Sequence, residues 1–358
     1  MLADNAKMDI CLEDYFSSYR KGIIGIDAEI PTIEGGSKRI VYADWTASGR
    51  NYAPIENRIQ QEIMPYVANT HTETSATGMA MTHAYYSAQQ IIKKHVNATD
   101  QDAIITAGSG MTRLINKLQR ILNLRSLNKN YEGNDRPVVF ITHMEHHSNH
   151  TSWLETNAIV KVVPPSDDGL VNLENFKALI DEYKNHTYKI AAVTACSNVT
   201  GIRTPFHEIA KLIHEAGGYC FVDFACSAPY VDINMHPEDK DAYLDAIIFS
   251  PHKFLGGPGS AGVLVFNKKL YNKEIPDNPG GGTVDWTNPW GNHKYIDDIE
   301  IVTGVPAFSG DFESGWTGWG ASRGVWQIGT PSAGPGACFS GTQCAGTNLS
   351  GNYWPNTD

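Results

Sequence analysis

Short apolar runs alternate with helical stripes through the middle of the chain. Seven runs are almost entirely apolar, and they occupy residues 103–106, 138–142, 159–163, 190–194, 219–223, 245–249 and 262–266. Strands that are covered on both faces have this composition, because neither face exposes side chains to water. The runs therefore predict buried strands of a mostly parallel sheet.

Helical segments fill the gaps between these runs. Thr204 and Pro205 are expected to open one helix, with Thr204 as its cap, and Gly217 to close it. Its apolar stripe consists of Ile209, Leu212, Ile213 and Ala216. Alternating strands and helices predict an α/β sheet with helices on both faces. Ligands of such sheets bind at the carboxyl ends of the strands.

The end of the chain has a different character. Residues 306–358 are rich in Gly, Ser, Thr and Trp, carry few charges and show no helical stripe. Ser-Gly pairs recur there as turn signals. We therefore expect an N-terminal segment at 1–25, a large domain at 26–305, and a tail of short β strands and loops at 306–358.

Composition and charge exclude several classes of protein. The chain has 358 residues and a formal net charge of −11, which argues against a nucleic-acid partner. No apolar run approaches the roughly 18 residues of a membrane span, and no signal peptide is recognisable. The 6 cysteines form no CxxC pair, so we expect no metal site. This cysteine usage suits a reducing compartment, and a cytoplasmic location is expected.

Lys253 and Asp223 each stand at the end of a predicted strand. A single lysine after a strand is usually a solvated loop residue, and an aspartate there is often a helix cap. Together they suit pyridoxal 5'-phosphate, because an amine forms the Schiff base and a carboxylate keeps the pyridine nitrogen protonated. The pair therefore marks a candidate site.

Three further motifs precede these two residues. Residues 107–111, Ala-Gly-Ser-Gly-Met, follow a strand and open a helix, where free N–H groups suit a phosphate. His146 and His147 are adjacent, which is compatible with a metal site or with ordinary loop residues. Asn198 lies in Cys-Ser-Asn-Val-Thr-Gly, which is compatible with a turn or with a glycosylation sequon. Each motif alone is weak.

In this order the motifs resemble the class V aminotransferase family of pyridoxal-phosphate enzymes, in the branch of cysteine desulfurases and selenocysteine lyases. The resemblance covers about residues 20–300. It implies the α/β, aspartate-aminotransferase-like fold of type I pyridoxal-phosphate-dependent transferases, with a mostly parallel central sheet. It also implies pyridoxal 5'-phosphate as cofactor, a small-molecule amino-acid substrate and a homodimer.

The resemblance also implies roles for individual residues. Catalytic roles fall to Lys253 as Schiff-base amine and proton carrier, to Asp223 at the ring nitrogen, and to His146 stacked on the ring. The implied cofactor-binding residues are Ser109, Gly110, Met111, His146, Asn198, Asp223, Ser250, His252, Lys253 and Thr283. Thr283 belongs to a glycine-rich loop that would reach the phosphate in the partner subunit.

The chain departs from the family pattern in several places. Cys226 stands where the family commonly has glutamine, and Thr72 where an arginine is frequent. The resemblance stops near Gly304, and the tail resembles a fragment of secreted bacterial β-sandwich modules. We expect the family's C-terminal small domain, with its carboxylate-binding arginine and sulfur-accepting cysteine, to be absent or replaced. Cys338 and Cys344 in the tail match no desulfurase cysteine motif.

These features predict a pyridoxal-phosphate enzyme that acts on an amino acid, similar to a cysteine desulfurase and impaired by loss of the C-terminal domain. Two alternatives stay open. One is an aminotransferase or a kynureninase-like lyase. The other is a remnant that binds the cofactor without turnover.

Overall fold

The computed structural model describes residues 11–70, 74–125, 131–296, 327–329 and 344–346. Its strands are β1 (Glu29–Pro31), β2 (Ser37–Arg39), β3 (Asp102–Ala107), β4 (Val138–Thr142), β5 (Ile159–Val163), β6 (Lys189–Thr194), β7 (Tyr219–Asp223), β8 (Ala246–Phe249), β9 (Gly262–Asn267), β10 (Val284–Thr287), β11 (His293–Tyr295), β12 (Gln327–Gly329) and β13 (Cys344–Gly346). Its α-helices are α1 (Leu12–Lys21), α2 (Ala53–Arg58), α3 (Ala76–His95), α4 (Met111–Ile121), α5 (His147–Leu154), α6 (Leu173–Glu182) and α7 (Phe206–Glu215).

A 7-stranded sheet in the order β3-β9-β8-β7-β6-β4-β5 is the centre of the fold. The pairs from β8 through β5 are parallel, whereas β9 runs antiparallel to both of its neighbours, β3 and β8. All seven predicted strands are present, which confirms the mostly parallel α/β sheet. Since β9 alone is reversed, the carboxyl ends of β3, β4, β6, β7 and β8 lie at one edge.

Alternate strand residues build a separate core on each face of the sheet. Phe140 of β4 points into the core that α6 and α7 cover with Phe176 and Ile209. Its neighbour Ile141 points into the opposite core, where Trp153 of α5 is fully buried beside residues of α4. Both faces are therefore apolar, which explains why the strand sequences show almost no polar alternation.

Helix α7 begins slightly later than the sequence suggests. Pro205 is the N-cap and no side chain caps the helix, so the predicted cap at Thr204 is wrong. The Thr204 N–H donates to the carbonyl of Ala195 at 3.0 Å, which keeps this backbone extended beside the end of β6. The predicted stop is confirmed, because Gly217 adopts φ +70° and donates to the carbonyl of His214 at 2.8 Å.

Three two-stranded sheets complete the described structure: β1 with β2, β10 with β11, and β12 with β13. The chain divides into two units, Met1–Val305 and Pro306–Asp358, and the pair β12–β13 belongs to the second. The other expectations for the tail lie outside the described residues, and the three-segment division stays a prediction. Among the described helices, none is long and apolar enough to cross a membrane.

Candidate active site

The strand ends at the shared edge of the sheet open on a cavity of about 670 Å³. Nine of the ten predicted cofactor-binding residues line it: Ser109, Gly110, Met111, His146, Asn198, Asp223, Ser250, His252 and Lys253. Thr283 does not line this cavity. Its hydroxyl instead bonds to the N–H and the carbonyl of Gly280, at 3.0 and 2.9 Å.

One end of the cavity is a cradle of hydrogen-bond donors at the start of α4. Gly110 is the N-cap and offers no side chain, and the Met111 N–H donates to the Ser250 hydroxyl at 2.9 Å. That hydroxyl keeps its own proton for another acceptor. His252 Nδ1 is buried here and has no partner among the described residues. A Cβ on Gly110 would lie 2.9 Å from the His252 ring, so only glycine leaves this space open.

Lys253 ends a short 3₁₀ turn, Pro251–Lys253, that follows β8. Two contacts with the N-terminal part of the chain hold this turn. The Gly49 N–H donates to the carbonyl of His252 at 2.9 Å, and the Gly256 N–H donates to that of Arg50 at 2.7 Å. The approach at Gly49 is close, because a Cβ there would lie 1.9 Å from the carbonyl oxygen of Phe254. The backbone is therefore held by hydrogen bonds both before and after Lys253, at His252 and at Gly256.

Asp223 is buried at the end of β7, where its Oδ1 accepts a hydrogen bond of 2.8 Å from the Ala225 N–H. Burial raises the pKa of Asp223 to about 6, against the opposing effects of the Ala225 N–H and the Lys253 charge. A protonated ring nitrogen against this carboxylate would add a second positive charge and lower its pKa further. This position could therefore accept a cationic ring nitrogen.

His146 follows β4 and caps α5. Its Nδ1 accepts a hydrogen bond of 3.1 Å from the Ser148 N–H, so the neutral imidazole carries its proton on Nε2. Burial, followed by the charge of Lys253, lowers the pKa of His146. The imidazole ring is therefore neutral at pH 7, and its Nε2–H is available to donate a hydrogen bond.

Glu145 is a site residue that the sequence analysis did not select, although it precedes His146 in the same motif. Thr142 donates to its Oε1 through its hydroxyl and its N–H at 2.7 and 3.3 Å, and the Thr194 N–H donates to the same oxygen at 2.9 Å. Asn149 Nδ2 donates to Oε2 at 2.7 Å. Burial nevertheless raises the pKa of Glu145 to about 7, and the charge of Asp223 adds to the rise.

The first turns of α4 form one wall of the cavity, which the sequence analysis also missed. Thr112 and Ser148 join the two helix starts through a 2.7 Å contact between their hydroxyls. Arg120, farther along α4, holds the buried carboxylate of Asp277 with two hydrogen bonds of 2.9 and 3.1 Å. Lys117 contacts the same carboxylate at 3.1 Å. Arg113 and Asn116 also line this wall.

Cys226 lines the cavity where the family pattern has glutamine. Its Sγ donates to the carbonyl of Cys196 at 3.1 Å, and burial raises its pKa to about 11. The thiol is therefore neutral at pH 7, and its proton is already donated to the carbonyl of Cys196. Asn198 is exposed and stands at the mouth of the cavity. The expected role of Thr72 lies outside the described residues.

Comparison with known proteins identifies a family for this chain. The family described as Aminotransferase class-V matches residues 41–298. A probable cysteine desulfurase of Staphylococcus aureus (strain COL) is 31% identical over 257 residues, covering 71% of this chain and 58% of the relative. One from Staphylococcus epidermidis is 31% identical over 258 residues, covering 71% of this chain and 59% of the relative. The chain therefore spans less than two thirds of the length of these curated relatives.

Solved structures match in fold. An apo cysteine desulfurase from Thermococcus onnurineus NA1 superposes with a TM-score of 0.62 at 21% identity, covering 81% of this chain and 66% of that one. A cysteine desulfurase from Escherichia coli gives a TM-score of 0.59 at 23% identity, covering 81% and 67% of the two chains. These likenesses confirm the predicted fold class.

Proposed function

Because the chain belongs to the class V aminotransferase family, we propose that it binds pyridoxal 5'-phosphate through Lys253 and acts on an amino acid as a cysteine desulfurase-like enzyme. One observation carries the proposal. A lysine, a buried carboxylate and a cradle of hydrogen-bond donors line a single cavity, at or just after the ends of β3, β7 and β8.

The residues present fit the cofactor. The phosphate would lie in the cradle at the start of α4, where the Ser250 hydroxyl has a proton to donate and His252 Nδ1 is buried without a described partner. Asp223 would stand at the ring nitrogen, and Lys253 would hold the aldehyde carbon. The cofactor would give each group a partner: a phosphate oxygen to accept the proton of Ser250, a positive ring nitrogen for Asp223, and an electrophilic carbon for Lys253.

The chain's own residues then divide the work of catalysis. The bound cofactor supplies an electron-withdrawing ring that spreads the charge left when a bond to the substrate α-carbon breaks. The Lys253 amine takes the proton from the α-carbon and returns one to the product. Asp223 would keep the ring nitrogen protonated when the cofactor is bound. His146 would have its Nε2–H free to donate toward bound cofactor or substrate, because its Nδ1 accepts from the Ser148 N–H at the start of α5.

The proposed substrate is cysteine, which would yield alanine while its sulfur passes at the sulfane level to an acceptor thiol, forming a persulfide. Support comes from the curated relatives, which are described as probable cysteine desulfurases at 31% identity. We further propose a cytoplasmic homodimer in which the loop ending at Thr283 contributes to the phosphate site of the partner. The half-buried Thr283 and the exposed Trp286 and Trp290 beyond it are compatible with a surface that a second subunit covers.

The test uses the purified full chain mixed with pyridoxal phosphate. We expect a visible absorption band that borohydride converts into a permanent covalent adduct, and Lys253→Ala should abolish that adduct. Lys211→Ala is the matched control, because Lys211 is half exposed and paired with Asp239. A reducible adduct that persists in Lys253→Ala would overturn the assignment of the lysine.

Turnover separates the candidate reactions. Alanine formed from cysteine in the presence of an added dithiol, which accepts the sulfur and reduces it to sulfide, would support the desulfurase. Transfer of the amino group to an added keto acid would identify an aminotransferase. Stable cofactor binding with neither reaction would identify a protein that binds the cofactor without turnover. Light scattering at micromolar concentration tests the dimer.

A further inference from the structure

Arg113 is a cation of the cavity that none of the preceding roles uses. It lies on the first turn of α4 and lines the same cavity as Lys253. Its aliphatic stem crosses Gly108, where an added Cβ would come within 2.5 Å of Arg113 Cδ. The absence of a side chain at Gly108, which adopts φ +61°, thus leaves room for the arginine beside the cradle.

The other basic groups that line the cavity are already committed. Arg120 holds Asp277 with both of its hydrogen bonds. Lys253 is the proposed covalent anchor. His146 and His252 have pKa values lowered by burial and by the charge of Lys253, so both are neutral at pH 7. Arg113 contacts no acidic group in the part of the chain that the structure describes.

Acidic groups are equally scarce in the cavity. Asp223 is the one carboxylate among the lining residues, and it stands against the proposed ring nitrogen rather than in the cradle. A phosphate ester carries about −1.5 to −2 charges at pH 7. The cradle itself offers only neutral donors: backbone N–H groups, the Ser250 hydroxyl and an imidazole. The phosphate therefore lacks a permanent positive charge unless Arg113 provides it.

We propose that Arg113 is the counter-ion of the cofactor's phosphate group, reaching over Gly108 to the cradle at the start of α4. This inference rests on the proposed function. A guanidinium is always charged and presents planar paired donors that match phosphate oxygens, so it adds both energy and orientation. In a chain of net charge −11, it also makes this cavity locally attractive to an anion.

The test compares pyridoxal phosphate with pyridoxal, which has the same ring and aldehyde but no phosphate. Both are titrated into the cofactor-free full chain, and binding is followed by absorbance. Arg113→Gln should weaken binding of pyridoxal phosphate by roughly ten- to hundredfold. Binding of pyridoxal should stay within about twofold, because the removed charge faces only the phosphate. Arg113→Lys should recover part of the loss.

Controls separate this effect from folding and from general charge. Arg58→Gln removes the same charge from an exposed pair with Glu62 and should leave both affinities unchanged. Thermal unfolding of Arg113→Gln should match the parent protein, since Arg113 is exposed. Inorganic phosphate should compete with pyridoxal phosphate in the parent protein and much less in Arg113→Gln.

Three outcomes overturn the inference. Unchanged affinity of Arg113→Gln for pyridoxal phosphate removes the counter-ion role. An equal loss for pyridoxal and pyridoxal phosphate shows that Arg113 acts on the ring or on folding. Weaker turnover with unchanged cofactor affinity assigns Arg113 to the substrate carboxylate instead. A parent protein that binds no pyridoxal phosphate contradicts the proposed function itself, which is a distinguishable result.

Discussion

The hydroxyl of Ser250 accepts a 2.9 Å hydrogen bond from the Met111 N–H across 139 positions of sequence. This contact joins the turn that carries Lys253 to the first turn of α4. The two motifs that sequence analysis found separately are therefore bonded to each other. The cradle of hydrogen-bond donors depends on both segments, because neither segment alone contains the hydroxyl and the helix start.

Replacing Ser250 by alanine should damage both the fold and the cradle. The buried Met111 N–H would lose its partner, which costs about 1–3 kcal/mol of unfolding free energy. A phosphate would also lose one donor, so affinity for pyridoxal phosphate should fall. Urea unfolding and cofactor titration measure the two effects. Ser17→Ala on exposed α1 is the control, and stability equal to the parent would show that the Ser250–Met111 bond contributes nothing.

Asp223→Asn should separate stability from activity. Burial raises the pKa of Asp223 from 3.8 to about 6, so ionising it at pH 8 costs the cofactor-free protein up to about 3 kcal/mol. The neutral amide avoids this cost, and the cofactor-free variant should be as stable as the parent or more stable at pH 8. Any turnover should drop by about 100-fold or more, because the ring nitrogen loses its countercharge.

The matched control for this substitution is Asp239→Asn, in an exposed pair with Lys211. Unfolding is measured by urea titration at pH 8, and turnover by alanine release from cysteine. Normal turnover of Asp223→Asn would contradict its placement at the ring nitrogen. A large loss of stability would contradict the cost assigned to its buried charge.

Glu145 should make the stability of the cofactor-free protein depend on pH. Its pKa rises from 4.5 to about 7 on folding, so the folded state binds this proton more tightly than the unfolded chain does. The resulting stabilisation is complete below pH 4.5 and is lost as the pH rises through 7, by at most about 3 kcal/mol. Glu145→Gln should remove this part of the slope.

Urea unfolding at pH 5, 6, 7 and 8 measures the slope for the parent protein and the variant. The amide also places an NH₂ group among groups that donate to the carboxylate, so Glu145→Gln should be less stable than the parent at pH 5. Glu155→Gln, at the exposed C-terminal end of α5, is the control. Identical slopes for Glu145→Gln and the parent would rule out Glu145 as the source.

Sequence patterns were sufficient to predict the sheet and to select residues that line one cavity, for physical reasons. Strands buried on both faces must be apolar, and the carboxyl ends of parallel strands meet at one edge, which brings Asp223 and Lys253 to one cavity. The role of Glu145 was not visible, because its partners belong to three different elements. The Arg120–Asp277 pair spans 157 positions and has no local signature. The antiparallel direction of β9 could not be predicted from the sequence, because a buried strand is apolar whichever way it runs.

The contacts of Gly49 and Arg50 with the turn around Lys253 have a consequence for synthesis. A ribosome releases these N-terminal residues long before the segment that carries His252 and Gly256 exists. Until then their backbone groups have no native partners, and the lysine turn cannot be braced. Pairing between such distant segments is slow to form. We therefore expect Lys253 to gain its final geometry late, after the sheet has assembled behind it.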